Sequence, residues 1–140
     1  MIRNLTLAGA LLALLFLVAC TNPLKAGQMS DSSVVNFHHQ LDQAQYHDIY
    51  ANASPEFQNA SSEKDMTELF TAIHTKLGSV ASANRTNVFV NATTRGNFVR
   101  TTYDTTFAQG KGVETFTWLL NNDQLALVGY HIESRELLVK

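Results

Sequence analysis

Residues 98–132, FVRTTYDTTFAQGKGVETFTWLLNNDQLALVGYHI, decide the fold. From Phe98 to Phe107, Thr, Val and aromatic residues recur with a period of two, the composition and spacing of a half-buried strand. Gln109-Gly110-Lys111-Gly112 supplies a hairpin turn, Val113 to Asn121 a second strand, Asn122-Asp123 a tight turn and Gln124 to Ile132 a third strand. Pairing that is symmetric about Gly110-Lys111 and Asn122-Asp123 sets Tyr103 opposite Trp118 and Trp118 opposite Leu127. One face then carries Val99, Thr101, Tyr103, Thr105, Phe107, Phe116, Trp118, Leu120, Leu125, Leu127 and His131, and this face is assigned to the core. The other carries Arg100, Asp104, Thr115 and Thr117, as solvent requires, but also Leu119, Val128, Tyr130 and Ile132. Such an apolar strip calls for a cover, either another part of the chain or a partner subunit.

Before these hairpins, Ser79 to Thr93 reads as one more strand, with Asn87-Val88-Phe89-Val90 alternating and Arg95-Gly96-Asn97 turning the chain. Earlier still the period becomes helical. Met66, Leu69, Phe70, Ile73 and Leu77 share one helix face, Ser62-x-x-Asp65 caps its start and Gly78 closes it. Ser54 followed by Pro55 opens a short helical turn reaching Ala60. Val34, Phe37, Leu41, Ala44, Tyr46, Ile49 and Tyr50 predict an amphipathic helix to about Asn52. The expected architecture is therefore α+β, with helices packed on a four-stranded antiparallel sheet, over residues 34–140.

The amino end carries a different signal. Met1-Ile2-Arg3-Asn4 and the apolar run Leu5 to Phe16 have the form of a signal peptide and are too short for a comfortable membrane span. Leu17-Val18-Ala19-Cys20 resembles the lipobox of bacterial lipoproteins, in which the cysteine thiol takes diacylglycerol before cleavage. That resemblance implies a signal peptide over residues 1–19, lipidation (diacylglycerol and palmitate) at Cys20 and a membrane partner reached through the lipid. Thr21 after the cysteine implies, by the enteric sorting rule, the outer membrane's inner leaflet facing the periplasm. Thr21 to Ser33 is polar, small and aperiodic, so residues 20–33 are expected to form a lipidated tether. Removing the leader leaves 121 of 140 residues, one domain's worth, with Cys20 as the lone cysteine and hence no internal disulfide. Nine basic residues then face twelve acidic ones with no basic cluster, which excludes nucleic acid as a partner.

A family resemblance rests on Phe37-x-x-x-Leu41-Asp42-x-x-x-Tyr46-x-x-Ile49-Tyr50, Ser54-Pro55-Glu56-Phe57, Lys76-Leu77-Gly78, Tyr103-x-x-x-Phe107, Glu114-Thr115-Phe116 and Val128-Gly129-Tyr130-His131-Ile132. These resemble a family of bacterial lipoproteins and periplasmic proteins with a domain of unknown function. Their helices and sheet are similar to the nuclear transport factor 2-like, or cystatin-like, cone. The resemblance implies a fold and no particular activity, since that cone hosts enzymes, binders and scaffolds.

Few residues carry chemistry. His38, His39, Asp42 and Gln43 fall within two helical turns, but a zinc site needs three or four converging ligands, so a solvated helix face is expected and no metal or cofactor is implied. His47-Asp48 are neighbours that do not face each other on a helix, and His74 is read as solvated. Cone enzymes resembling ketosteroid isomerases use a pocket Asp as base beside a Tyr donor. Here Tyr103 and Asp104 point to opposite faces, and Glu114 lies on the inner side at the rim beside a turn, so no catalytic residue is assigned. Tyr103, Trp118 and His131 are candidate pocket residues. Leu119, Val128 and Tyr130 are candidate interface residues for a protein partner or a homodimer through the sheet. The sequons at Asn59, Asn84 and Asn91 carry no weight behind a bacterial lipobox. The expected function is a membrane-anchored periplasmic binding or interaction module, and the alternative is a small-ligand carrier or acid–base enzyme using the mouth of the cone.

Overall fold

The computed structural model describes residues 22–139; the leader over residues 1–19 and Cys20 lie outside the described residues. Helices α1 (Pro23–Asp42), α2 (Tyr46–Ala51), α3 (Pro55–Ala60) and α4 (Glu63–Leu77) precede strands β1 (Val80–Thr93), β2 (Gly96–Phe107), β3 (Gly110–Asn121) and β4 (Gln124–Glu133). A four-residue helix α5 (Arg135–Leu138) follows. Each strand pairs antiparallel with its chain neighbour, giving the order β1-β2-β3-β4 and an α+β fold.

The segment expected to be a tether is corrected over residues 23–33, which are helical. Asn22 accepts the Leu24 N–H at 2.9 Å and Pro23 sits in the first turn, so α1 starts there. Its buried stripe is Ala26, Ser30, Val34, Phe37 and Leu41, flanked by Gly27 and His38. The first members of that stripe are small, which lets the helix approach the sheet closely but leaves no apolar periodicity to read. Past Asp42, Ala44 takes φ 54° and divides the single predicted helix into α1 and α2. The remaining boundaries match the reading: Ser54 caps Phe57 N–H at 3.2 Å, Ser62 caps Asp65 N–H at 3.1 Å, and Gly78 closes α4 with φ 74°. Ser54 also donates its N–H to the Leu127 carbonyl at 2.9 Å, fastening α3 to the β4 edge.

The β2–β3 turn lies at Ala108-Gln109 rather than Gly110-Lys111, so Tyr103 faces Glu114 and Val99 faces Trp118. This displacement is even, and the inner and outer faces of both strands stay as predicted. Between β3 and β4, Trp118 does face Leu127, across a turn in which Asn122 and Asp123 take φ 48° and 61°. The next pair is Thr117 with Gly129, leaving Val128 as an extra residue. That bulge reverses the rest of β4: Tyr130 and Ile132 turn inward, and His131 turns outward opposite Thr115. The predicted placement of Tyr130 outside and His131 inside is thereby corrected.

Helices cover the inner face. Phe37 and Phe70 from the helices meet Phe116, Trp118 and Tyr130 from the sheet, with Phe116 at 5.1 Å from both Phe37 and Tyr130 and stacked on Trp118 at 5.4 Å. Leu41, Ile73, Leu77 and Val99 complete a fully buried layer around them. Among the described residues, none on the outer face is buried. There Phe98 faces Leu119, Leu119 faces Ala126, and Phe89 stands 60 % exposed.

Candidate functional site

Between α1 and β1 runs a cleft of about 550 Å³. One wall is the α1 stripe Asp31, Val34, Val35, His38 and Asp42, residues spaced three or four apart and so aligned along the helix. The other is Val80 to Arg85, and Tyr103 from β2 forms part of the floor. Asp42 ties the walls together at one end, with both carboxylate oxygens 3.2 Å from the Val80 N–H. The buried Nδ1 of His74 lies 3.9 Å from the same carboxylate, outside hydrogen-bond reach.

At the other end Arg85 donates to Asp31 through Nε at 2.9 Å and Nη2 at 3.3 Å, a two-pronged contact. Its guanidinium lies over Gly27, where an added Cβ would come within 2.5 Å of Nη1. A glycine inside a helix costs about 0.5–1 kcal/mol relative to alanine; here it makes room for the ion pair. Tyr103 donates to Asp31 Oδ1 at 2.8 Å and lies 3.0 Å from Ser30 Oγ, which is 2.7 Å from Thr101 Oγ1. Trp118 Nε1 donates to Thr101 at 3.3 Å. The Tyr103 hydroxyl is thus shared between Asp31 and Ser30, and Thr101 links Ser30 to Trp118. Burial first, and then Asp31, push the Tyr103 hydroxyl up to about 12, while the hydrogen bond to Asp31 raises Arg85 above its ordinary value.

Deeper lies Glu114, fully buried. Its Oε2 is 2.7 Å from His38 Nε2 and accepts from Thr105 at 2.5 Å, and its Oε1 accepts from Tyr130 at 2.7 Å. A buried carboxylate is tolerated only when such donors surround it. Burial first, then the charge of Glu114 and its hydrogen bond, hold Tyr130 well above the ordinary tyrosine value. His38, 6 % exposed, stands between Glu114 and the cleft. With Nε2 held by the carboxylate, Nδ1 has no protein partner among the described residues. His38 is thereby fixed by the buried carboxylate at the wall of the cleft.

Sequence spacing singles out neither the His38–Glu114 pair nor the Asp31–Arg85 ion pair. His38, expected on a solvated helix face, and Glu114, expected on the inner side of the sheet at its rim, are both buried and paired across 76 positions of sequence. Period-two phase already sets Glu114 with Phe116 and Trp118 on the inner side, and the signal for His38 is adjacency, since it follows Phe37 on the buried flank of its helix. Of the candidate pocket residues, Tyr103 reaches the cleft. Trp118 instead lines a separate hollow of about 290 Å³ on the other flank of α1, with Phe37, Ile49 and Leu125. His131 is exposed on the outer face, 3.4 Å from Glu133. Leu119 and Val128 are half-buried on that outer face, whereas Tyr130 belongs to the core. Cys20 lies outside the described residues. Among the described residues, no three His, Cys, Asp or Glu side chains converge as metal ligands, and no helix is long and apolar enough to cross a membrane.

Residues 34–130 match a family model described as a protein of unknown function (DUF4019). The match spans His38, Arg85, Tyr103, Glu114 and Tyr130. No curated protein matches the chain.

Proposed function

Because the chain belongs to the DUF4019 family, a family without an assigned activity, we propose its function from its geometry: an envelope-tethered binding module whose site is the cleft between α1 and β1. The observation that carries this reading is the floor of the cleft, where His38 is backed by fully buried Glu114 and flanked by the Asp31–Arg85–Tyr103 cluster. Burying a carboxylate this deeply is a poor way to gain stability. It makes sense where a fixed, polar surface must be offered to a ligand. The lipobox-like Leu17-Val18-Ala19-Cys20, with Thr21 behind it, supports attachment at the periplasmic side of the outer membrane. Helices laid over one face of an antiparallel sheet agree with the likeness to the nuclear transport factor 2-like or cystatin-like cone, in which such mouths serve ligands.

A photo-reactive residue at Val35, which is 69 % exposed on the cleft wall, tests the site in the native host. An adduct formed from position 35 and not from position 98 on the outer face supports the proposal; no adduct at 35 refutes it. Fatty-acid labelling that disappears in Cys20→Ser tests the anchor.

A second reading is favoured by the uncovered outer face, where Phe89, Phe98, Leu119 and Val128 are all partly accessible. On this reading the sheet carries a protein partner or a homodimer. Sedimentation would then give a dimer for the parent chain and a monomer for Leu119→Asp.

A further inference from the structure

Resting on the cleft-binding reading above, we infer that the cleft takes an extended peptide segment, added as a fifth strand along the open edge of β1. Side chains of a strand point alternately to its two faces, so a wall lined by one phase would be a sheet face. This wall is lined by six consecutive residues, Val80 to Arg85, and is therefore the backbone edge itself. β1 pairs with β2 alone and ends the sheet. Among the described residues, no group outside the sheet hydrogen-bonds to the backbone of residues 81–85, while the Val80 N–H is closed off by Asp42. Irregularities between Val80 and Ser82 and between Arg85 and Asn87 bracket a regular run, Ser82 to Arg85, paired with Thr106 to Tyr103. At about 3.3 Å per residue, that run offers about 13 Å of edge.

The occupant's chemistry follows from the opposite wall. Unpaired edge N–H and C=O groups demand an extended backbone, which neither a helix nor a compact small molecule supplies. Alternate side chains of the added strand would meet Val35, 69 % exposed on the opposite wall, and should be aliphatic. Two carboxylates, Asp31 and Asp42, face one guanidinium, and Arg85 is already taken by Asp31. Asp42 accepts the Val80 N–H and lies 3.9 Å from His74 but has no Lys or Arg beside it among the described residues, so the peptide carries a Lys or Arg at that end.

The test is selection from a displayed random heptapeptide library on the full-length chain in detergent, followed by a backbone N-methyl scan of the enriched sequence. We expect aliphatic residues at alternate positions with an excess of Lys and Arg. N-methylation at every second position should lower affinity at least tenfold, with little effect at the positions between. Amide exchange at residues 82–85 should slow on binding, Val35→Trp should abolish binding, and Phe98→Asp should leave it intact. No enrichment, insensitivity to N-methylation, or binding that survives Val35→Trp would overturn the inference. A peptide-free dimer that protects residues 82–85 would also overturn it, by giving the edge to a second copy. A small-molecule adduct at position 35 without peptide binding would sink this inference and leave the cleft-binding proposal standing.

Discussion

The inner face of the sheet has two halves built on opposite principles. Toward β4, Phe116, Trp118 and Tyr130 pack with Phe37 and Phe70 in edge-to-face, tilted and stacked contacts. Toward β1, Thr101, Tyr103 and Thr105 face Ser30, Asp31 and Arg85, and nearly every contact is a hydrogen bond. Both halves are buried under the same helix, α1. The aromatic half gains free energy from the area it removes from water, whereas the polar half gains little net energy and instead fixes positions. Glu114 is the hinge between them, bonded to Tyr130 on one side and to Thr105 and His38 on the other.

The largest effect should come from the aromatic side. Phe116 touches Phe37, Tyr103, Trp118 and Tyr130, and Phe116→Ala should cost about 3–5 kcal/mol in urea unfolding through the cavity it leaves. A loss under 1 kcal/mol would erase the contrast between the halves. Next comes Glu114. Glu114→Ala strands three buried partners and should cost about 3 kcal/mol, whereas Glu114→Gln keeps the shape and should cost about 1–2 kcal/mol. Equal losses for the two would mean that volume, not hydrogen bonding, is what Glu114 supplies.

Tyr103→Phe should cost about 1 kcal/mol near neutrality. Its sharper signature is alkaline. Unfolded tyrosine ionises at about 10 while the buried Tyr103 hydroxyl holds its proton to about 12. Its folded value being the raised one, its contribution is complete below pH 10 and lost as pH climbs toward 12. Unfolding midpoints across that window should fall less steeply in the Phe variant. The smallest effect lies outside both halves. His47 sits 2.6 Å from Glu63 on the surface, and that hydrogen bond raises its value above the ordinary 6.5. The favourable contribution is present below 6.5 and fades as pH rises through the raised value. Melting curves of the parent chain and His47→Gln should converge at alkaline pH, and added salt should narrow the gap at pH 6.

What could be read in advance follows from what is local. Strand phase survived a wrong turn position because an even shift in pairing keeps Val99, Tyr103, Phe116 and Trp118 on one face. A single extra residue, Val128, was enough to exchange Tyr130 and His131, and nothing short-range announces it. The first half of α1 carries no apolar period because Ala26, Gly27 and Ser30 are buried for their smallness, not their apolarity. The site itself is the least local part: His38, Arg85, Tyr103 and Glu114 come from α1, β1, β2 and β3, and only the folded sheet makes them neighbours.

The early start of α1 sets the reach of the whole body. If Cys20 carries acyl chains, only Thr21 and Asn22 separate them from the first turn at Pro23, a leash of about 7–10 Å at full stretch. Lys25 on that turn donates to Asp123 at 2.9 Å, which ties the start of the helix to the β3–β4 loop. α1 is about 30 Å long, so the Asp42 end of the cleft lies at the far end of the helix from Pro23. On that proposal a domain held so closely would meet only what comes within a few nanometres of the membrane.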